Sequence, residues 1–245
     1  MIKHYLKVAF RNLIKYKTQS LVSIIGLAVG FTCFALSVLW IRYEMTYDNF
    51  HEGADRIYLV RAHYANEPGT SKFTPYPLMK YLQDKMPEIE AVTAFTAHYV
   101  KFRMEDTEQE IGMIAADSVF MNFFDIQLLK GTVNFLKCDG QEVAITKEFA
   151  KRLFSKEEDA LGKEVEVGRR VCKIGAIVSG WSNHSNIPYN ILAPARHSPQ
   201  WGSSNEQLLI RVRERTDIDA FRTKMSTVCI NDIEKESELS DLLIT

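Results

Sequence analysis

Gln19–Ile41 reads QSLVSIIGLAVGFTCFALSVLWI, a run without one formally charged residue. A helix rises ~1.5 Å per residue and the hydrocarbon core of a bilayer is ~30 Å thick, so about 20 such residues cross it once. The stretch predicts a transmembrane helix over 19–41, and the rest of the chain is read outward from it. Before it stand Lys3, Lys7, Arg11, Lys15 and Lys17 with no acid, whereas Glu44, Asp48, Glu52 and Asp55 follow it beside Arg42 and Arg56. The basic flank of a membrane helix stays in the cytoplasm. Residues 1–18 are therefore expected to be cytoplasmic and the residues after 41 periplasmic, in a single pass through the cell inner membrane.

A cleavable signal peptide shares the order of basic then apolar, but its apolar region runs only about 7–15 residues. The small-residue pairs Ala28/Gly30 and Cys33/Ala35 would place cleavage in the middle of the run. Phe31 and Thr32 precede Cys33 where a lipoprotein signal needs small residues. An uncleaved anchor is the better reading.

The 245 residues carry a formal net charge of −1, and since five positive charges sit in the leader, the remainder carries −6. A mildly acidic body offers no field for nucleic acid. With 46% hydrophobic residues, including 14 Phe and 10 Tyr, it has ample material for one large or two small packed domains. Cys33 lies in the apolar run and Cys138, Cys172 and Cys229 are widely scattered, which is no disulfide framework; one periplasmic pair could still bridge. CxxC and paired-histidine spacings are absent, so no metal or other cofactor is expected.

In the leader, Ile2, Leu6, Phe10, Leu13 and Ile14 recur at helical spacing, with Lys3, Lys7, Arg11 and Lys15 one step round the same helix. Such a helix suits the headgroup region, its basic face toward anionic membrane lipid; the plainer reading is that these charges only set topology. Within the apolar run, Gly26 and Gly30 form a GxxxG with Ser23 one turn earlier, which lets two helices approach closely or is chance composition. Trp40 and Tyr43 suit an interfacial aromatic belt.

Beyond the membrane, strands are expected over 56–64, 89–104, 108–115, 165–167, 171–178 and 208–212. Thr74-Pro75 is read as the cap of a helix reaching Met86, Thr146 as the cap of another through Phe154, and a last helix follows Thr216 with Ile218, Phe221, Met225 and Val228 on one face. A short aromatic helix carries Phe120, Phe123 and Phe124, and 165–178 forms a hairpin turning at Gly168-Arg169. The fold class is α+β: one N-terminal transmembrane helix, then a mixed α/β periplasmic core of one or two subdomains. Its expected limits are 42–230, with 179–186 as a junction or mobile loop and 231–245 as an acidic tail.

MIKHYLKVAFRNLIKYKTQSLVSIIGLAVG at 1–30, YDNFHEGADRIYLV at 47–60, FFDIQLLKGT at 123–132 and VAITKEFAKRLFSKEEDALGKEV at 143–165 stand in that order. Together they resemble the MacB-like/FtsX-like ABC transporter permease family over nearly the whole chain. The resemblance implies a first membrane helix leading into a periplasmic core domain. SSNEQLLIRVRERTDIDAFRTKM at 203–225 looks like the last strand and helix of that domain, with the family's later membrane helices expected beyond it, as in a truncated or split permease. Tyr47, Asp48, Phe50, His51, Ala54, Asp55, Arg56 and Ile57 match one family motif, and Asp159 to Lys163, with Gly162, another; both look structural.

No GxxxxGK[ST], HExxH or GxSxG occurs, so the chain is expected not to be an enzyme and to depend on a cytoplasmic ABC ATP-binding subunit. Ser182-Asn183-His184-Ser185 is read as turn chemistry, and His63, His98 and His197 as ordinary lone histidines. Expected partners are that subunit, other permease segments or a second copy, and membrane lipid. The expected role is a membrane-anchored periplasmic module of an export or mechanotransmission system, moving a hydrophobic or peptide-like cargo such as an antimicrobial peptide or a lipoprotein. The alternative is a stand-alone anchored binding or adaptor module.

Overall fold

The computed structural model describes residues 2–46, 53–64, 68–105, 107–137, 141–154, 156–181, 185, 187, 189–227 and 239–245. Contacts divide the chain into two units, residues 1–47 and 48–245. In the first, α1 spans Ile2–Lys15 and α2 spans Lys17–Glu44. No side chain of α2 is buried, and Leu27, Phe31 and Phe34 are each two-thirds or more exposed. A helix whose long central stretch is uncharged and presents mostly apolar groups outward is built for hydrocarbon, where its backbone bonds are satisfied internally. Its hydroxyls obey the same demand: Thr32 donates to the Ala28 carbonyl at 2.8 Å and Ser37 to the Cys33 carbonyl at 2.9 Å.

The second unit holds β1 (Ile57–Tyr64), β2 (Thr70–Ser71), β3 (Thr74–Pro75), α3 (Pro77–Lys85), β4 (Ile89–Met104), β5 (Thr107–Ala116), α4 (Ser118–Phe123) and β6 (Leu128–Gly131). It continues with β7 (Glu142–Thr146), α5 (Lys147–Leu153), β8 (Glu164–Val167), β9 (Arg170–Val178), β10 (Ile191–Pro194), β11 (Ser204–Val212), α6 (Ile218–Ser226) and β12 (Leu239–Ile244). Asp117, Thr146 and Asp217 each accept from backbone N–H groups of the first turn of α4, α5 and α6. Thr74, by contrast, is no helix cap. It is fully buried in β3 and its hydroxyl donates to the Glu206 carbonyl at 3.3 Å, so the helix begins at Pro77, where a missing N–H costs nothing.

The main path of the sheet runs β12-β1-β11-β4-β5-β10-β7-β9-β6. At its first end β1, β11 and the start of β4 bury both faces. Val60, Val92, Leu208 and Ile210 meet Leu78 and Leu82 of α3 and Phe221 and Met225 of α6. The opposite face sends Leu59, Phe95 and Leu209 against Phe120 and Phe123 of α4. Coverage on both sides explains the unbroken apolar Leu208-Leu209-Ile210. The expected acidic tail needs correcting at its far end: Leu239–Ile244 pairs antiparallel with β1, burying Leu239, Leu242 and Ile244 in the same core. Leu242 and Ile244 point into the core at the strand period of two, and the register shift between His63 and Tyr64 brings Leu239 in beside them.

At the other end the sheet closes on itself. β8 pairs with β9 and also with β4, where Phe102 faces Val167. The circuit β4-β5-β10-β7-β9-β8 is a closed ring of strands. Phe102, Ile145, Val165, Ile174 and Ile191 fill it, and α5, which follows directly from β7, adds Phe149 edge-on to Phe102 at 5.1 Å. Two of the pairings, β5 with β10 and β7 with β9, are parallel, and the rest of the ring is antiparallel.

Candidate functional site

The family motif read at 47–57 opens the second unit. Tyr47, Asp48, Phe50 and His51 lie outside the described residues, but Gly53 sits at φ 70° and leads through one turn of 3-10 helix, Ala54–Arg56, into β1. Arg56 Nη1 donates to Glu90 Oε2 at 2.7 Å and to the Val212 carbonyl at 3.1 Å. One side chain thus ties the first residues of β1 and β4 to the last of β11. Asp55 beside it is exposed.

More bonds gather at that end. The Arg213 backbone N–H donates to the Glu88 carbonyl and its Nε to the Pro87 carbonyl, both at 2.9 Å. Lys224 Nζ from α6 reaches both Glu88 carboxylate oxygens, at 2.6 and 2.9 Å. The Lys224 hydrogen bond holds the Glu88 carboxyl below its ordinary range. These groups form a root at which β1, β4, β11 and α6 are bound together where the chain enters the domain. Only Arg56 was visible as a motif residue; its partners lie 34 and 156 residues away, and no local pattern marks them.

Gly162 serves elsewhere. It has φ 78°, a conformation glycine adopts at little cost, and its N–H donates to the Ile174 carbonyl at 2.8 Å, seating the turn before β8 on the ring. The two family motifs therefore belong to opposite parts of the domain. In the first unit, Lys7, Arg11 and Lys15 are exposed on α1; the side chain of Lys3 is outside the described residues. A Cβ at Gly26 or Gly30 would meet nothing within 4 Å, so those positions with Ser23 leave an open face on α2.

Other side chains with chemical potential are engaged in packing. Phe120 and Phe123 are buried, while Phe124 is half-buried against Trp181 with ring centroids 5.2 Å apart. His197 stacks on Tyr76 at 4.0 Å, with Nδ1 3.2 Å from Glu206 and Nε2 3.9 Å from Asp117. Cys172 is buried, which pushes its thiol up to about 11. Among the described residues no group of three or more His, Cys, Asp or Glu is placed to hold a metal ion. Cys138, Cys229 and Ser182 to His184 are outside the described residues.

Residues 20–228 match the model of the MacB-like periplasmic core domain. No curated protein matches the chain. Among solved structures, a domain of a permease protein from Porphyromonas gingivalis superposes with a TM-score of 0.63 at 20% identity, over 80% of this chain and 92% of that one. The extracellular domain of the noncanonic ABC-type transporter YknZ from Gram-positive bacteria gives 0.56 at 14% identity, over 77% and 99%. The periplasmic region of MacB from Actinobacillus actinomycetemcomitans gives 0.53 at 14% identity, over 78% and 88%. At these identities the structures speak for the fold.

Proposed function

This chain belongs to the MacB-like periplasmic core domain family of ABC transporter permeases, and from that premise we propose that it carries force or ligand state between the periplasm and an ATP-driven partner. MacB-like ABC permeases work with cytoplasmic ATP-binding subunits, and a transporter component of this kind is a coupling element. We place α1 in the cytoplasm and the domain in the periplasm of the inner membrane. The observation that carries this reading is continuity: the family match begins inside the apolar helix Lys17–Glu44 and runs into the domain without interruption.

The root is the proposed coupling point. A displacement transmitted along the chain to Gly53 reaches β1 first, and the Arg56 bonds to Glu90 and Val212 share it with β4 and β11. On α1 the exposed Lys7, Arg11 and Lys15 are proposed to meet anionic headgroups, and the open Ser23, Gly26 and Gly30 face to receive another membrane helix. Orientation is tested with Lys85→Cys, at the exposed end of α3. An impermeant thiol reagent should add one adduct in intact spheroplasts relative to the unmodified chain; an extra adduct only after lysis would reverse the orientation. Crosslinking in native membranes should recover an ABC ATP-binding subunit with the chain. Recovery of none would favour the adaptor reading.

A further inference from the structure

The ring has one plugged end and one open end. α5 fills the side on which β7 finishes, whereas Val143, at the beginning of β7, lines a depression of about 370 Å³ at the other. Its floor is apolar, made by Val100, Met113, Val167, Cys172 and Ala193. The Cys172 thiol stays neutral there, since burial disfavours its thiolate. Mouths of β-barrels and pockets of ~300–1,000 Å³ with few polar groups are common ligand sites.

The rim has the opposite character, with His98, Arg169, Arg170 and Arg196 around the opening. Two basic residues of the adjoining β4 are neutralised: Lys101 pairs with Glu108 at 3.1 Å, and Arg103 with Glu108 and Glu166 at 2.7 and 3.0 Å. Arg169 and Arg170 have no carboxylate within ion-pair distance among the described residues, in a domain whose net charge is negative. Their position is held by the hairpin itself. Gly168, at φ 64°, occupies the first place of a two-residue loop, and its N–H donates to the Lys101 carbonyl at 2.7 Å, binding the tip to β4.

We infer that the open end of the ring binds a single-chain anionic amphiphile, its tail on the apolar floor and its carboxylate or phosphate head between Arg169 and Arg170. Guanidinium forks take either head in charge-assisted pairs. A bare inorganic anion would gain nothing from the floor, and a cationic amphiphile would meet like charge. A peptide is disfavoured because every strand round the ring is already paired, so its backbone groups would lie unsatisfied on apolar surface. The site does not depend on coupling to an ATPase, so a chain that fails the partner test above can still pass this one.

The test is photocrosslinking of the full chain in phosphatidylcholine nanodiscs with tail-diazirine dodecanoate, dodecyl phosphate and dodecyltrimethylammonium, followed by peptide mapping. The two anionic probes should label β5, β8, β9 and β10, and their ratio reports which head is preferred. R169Q with R170Q should cut that labelling by more than about tenfold, since one lost charge-assisted hydrogen bond is already on that scale, without changing labelling of α2. Both arginines are exposed, so the melting curve should not move. In the unmodified chain, unlabelled dodecanoate should compete and dodecanol should not. Equal labelling by the cationic probe, an unchanged yield in the double variant, or displacement by an acidic apolar peptide at lower concentration than dodecanoate would each overturn the assignment.

Discussion

β4 serves two regions that solve the same problem differently. Its first half lies in an open sheet whose faces must be covered by α3 and α6 on one side and α4 on the other, while its second half belongs to a ring that covers itself. An open sheet keeps an edge, and here β12 is that edge. A closed ring abolishes edges but must end somewhere, and one of its ends stays open. Stability in the first region therefore rests on helices and an added strand, and in the second on mutual pairing around a filled interior.

The largest effect should come from emptying the ring. Phe102→Ala removes a fully buried ring that packs on Phe149 and is expected to cost about 3–5 kcal/mol in urea unfolding. Leu82→Ala on α3, equally buried, should cost about 2–4 kcal/mol, because neighbouring helices can partly collapse into the gap. A smaller cost for Phe102→Ala than for Leu82→Ala would show that the filled interior of the ring carries less of the stability than the covering helices do. Next comes the edge: Leu242→Ala in β12 is expected to cost about 2 kcal/mol and to speed amide exchange in β1 while leaving β9 protected. Loss of protection throughout would show one cooperative unit instead of two regions.

Arg56→Met tests whether the root fastens the open sheet. Its ion pair with Glu90 is partly exposed, so the expected loss is smaller than that of Leu242→Ala. The pH dependence should be smaller still. Glu88 is held below the ordinary carboxylate range by Lys224, so its contribution is complete above its unfolded-state value and lost as pH falls through its lowered folded value. Lys224→Met should flatten that limb of the stability profile. Gly26→Ile with Gly30→Ile should leave domain unfolding unchanged and weaken crosslinking between helices in the membrane; unchanged crosslinking would reduce the GxxxG to composition.

Most individual elements were legible because their signals are local. The strand Ile89–Met104 and the Thr146 cap are found where pattern and capping chemistry place them, and the hairpin at Gly168 follows from one residue that tolerates positive φ. Thr74 misled because threonine before proline marks a helix start as well as a strand end, and only the distant Glu206 carbonyl decides between them. β12 was hidden by the acidic segment preceding it, although Leu239, Leu242 and Ile244 carry its apolar content.

By itself, the sequence determined the apolar helix, the basic leader and the α+β character, since each depends on residues close together along the chain. Tertiary structure alone decided the rest. The ring exists because Phe102 pairs with Val167, and the root because Arg56 meets a carboxylate and a carbonyl from distant strands. Arg169 and Arg170 were visible as a hairpin tip, but their place over an apolar opening follows only from closure of the ring. Contacts of that kind are selected by the free energy of the whole fold, and the residues that make them carry no local mark of their partners.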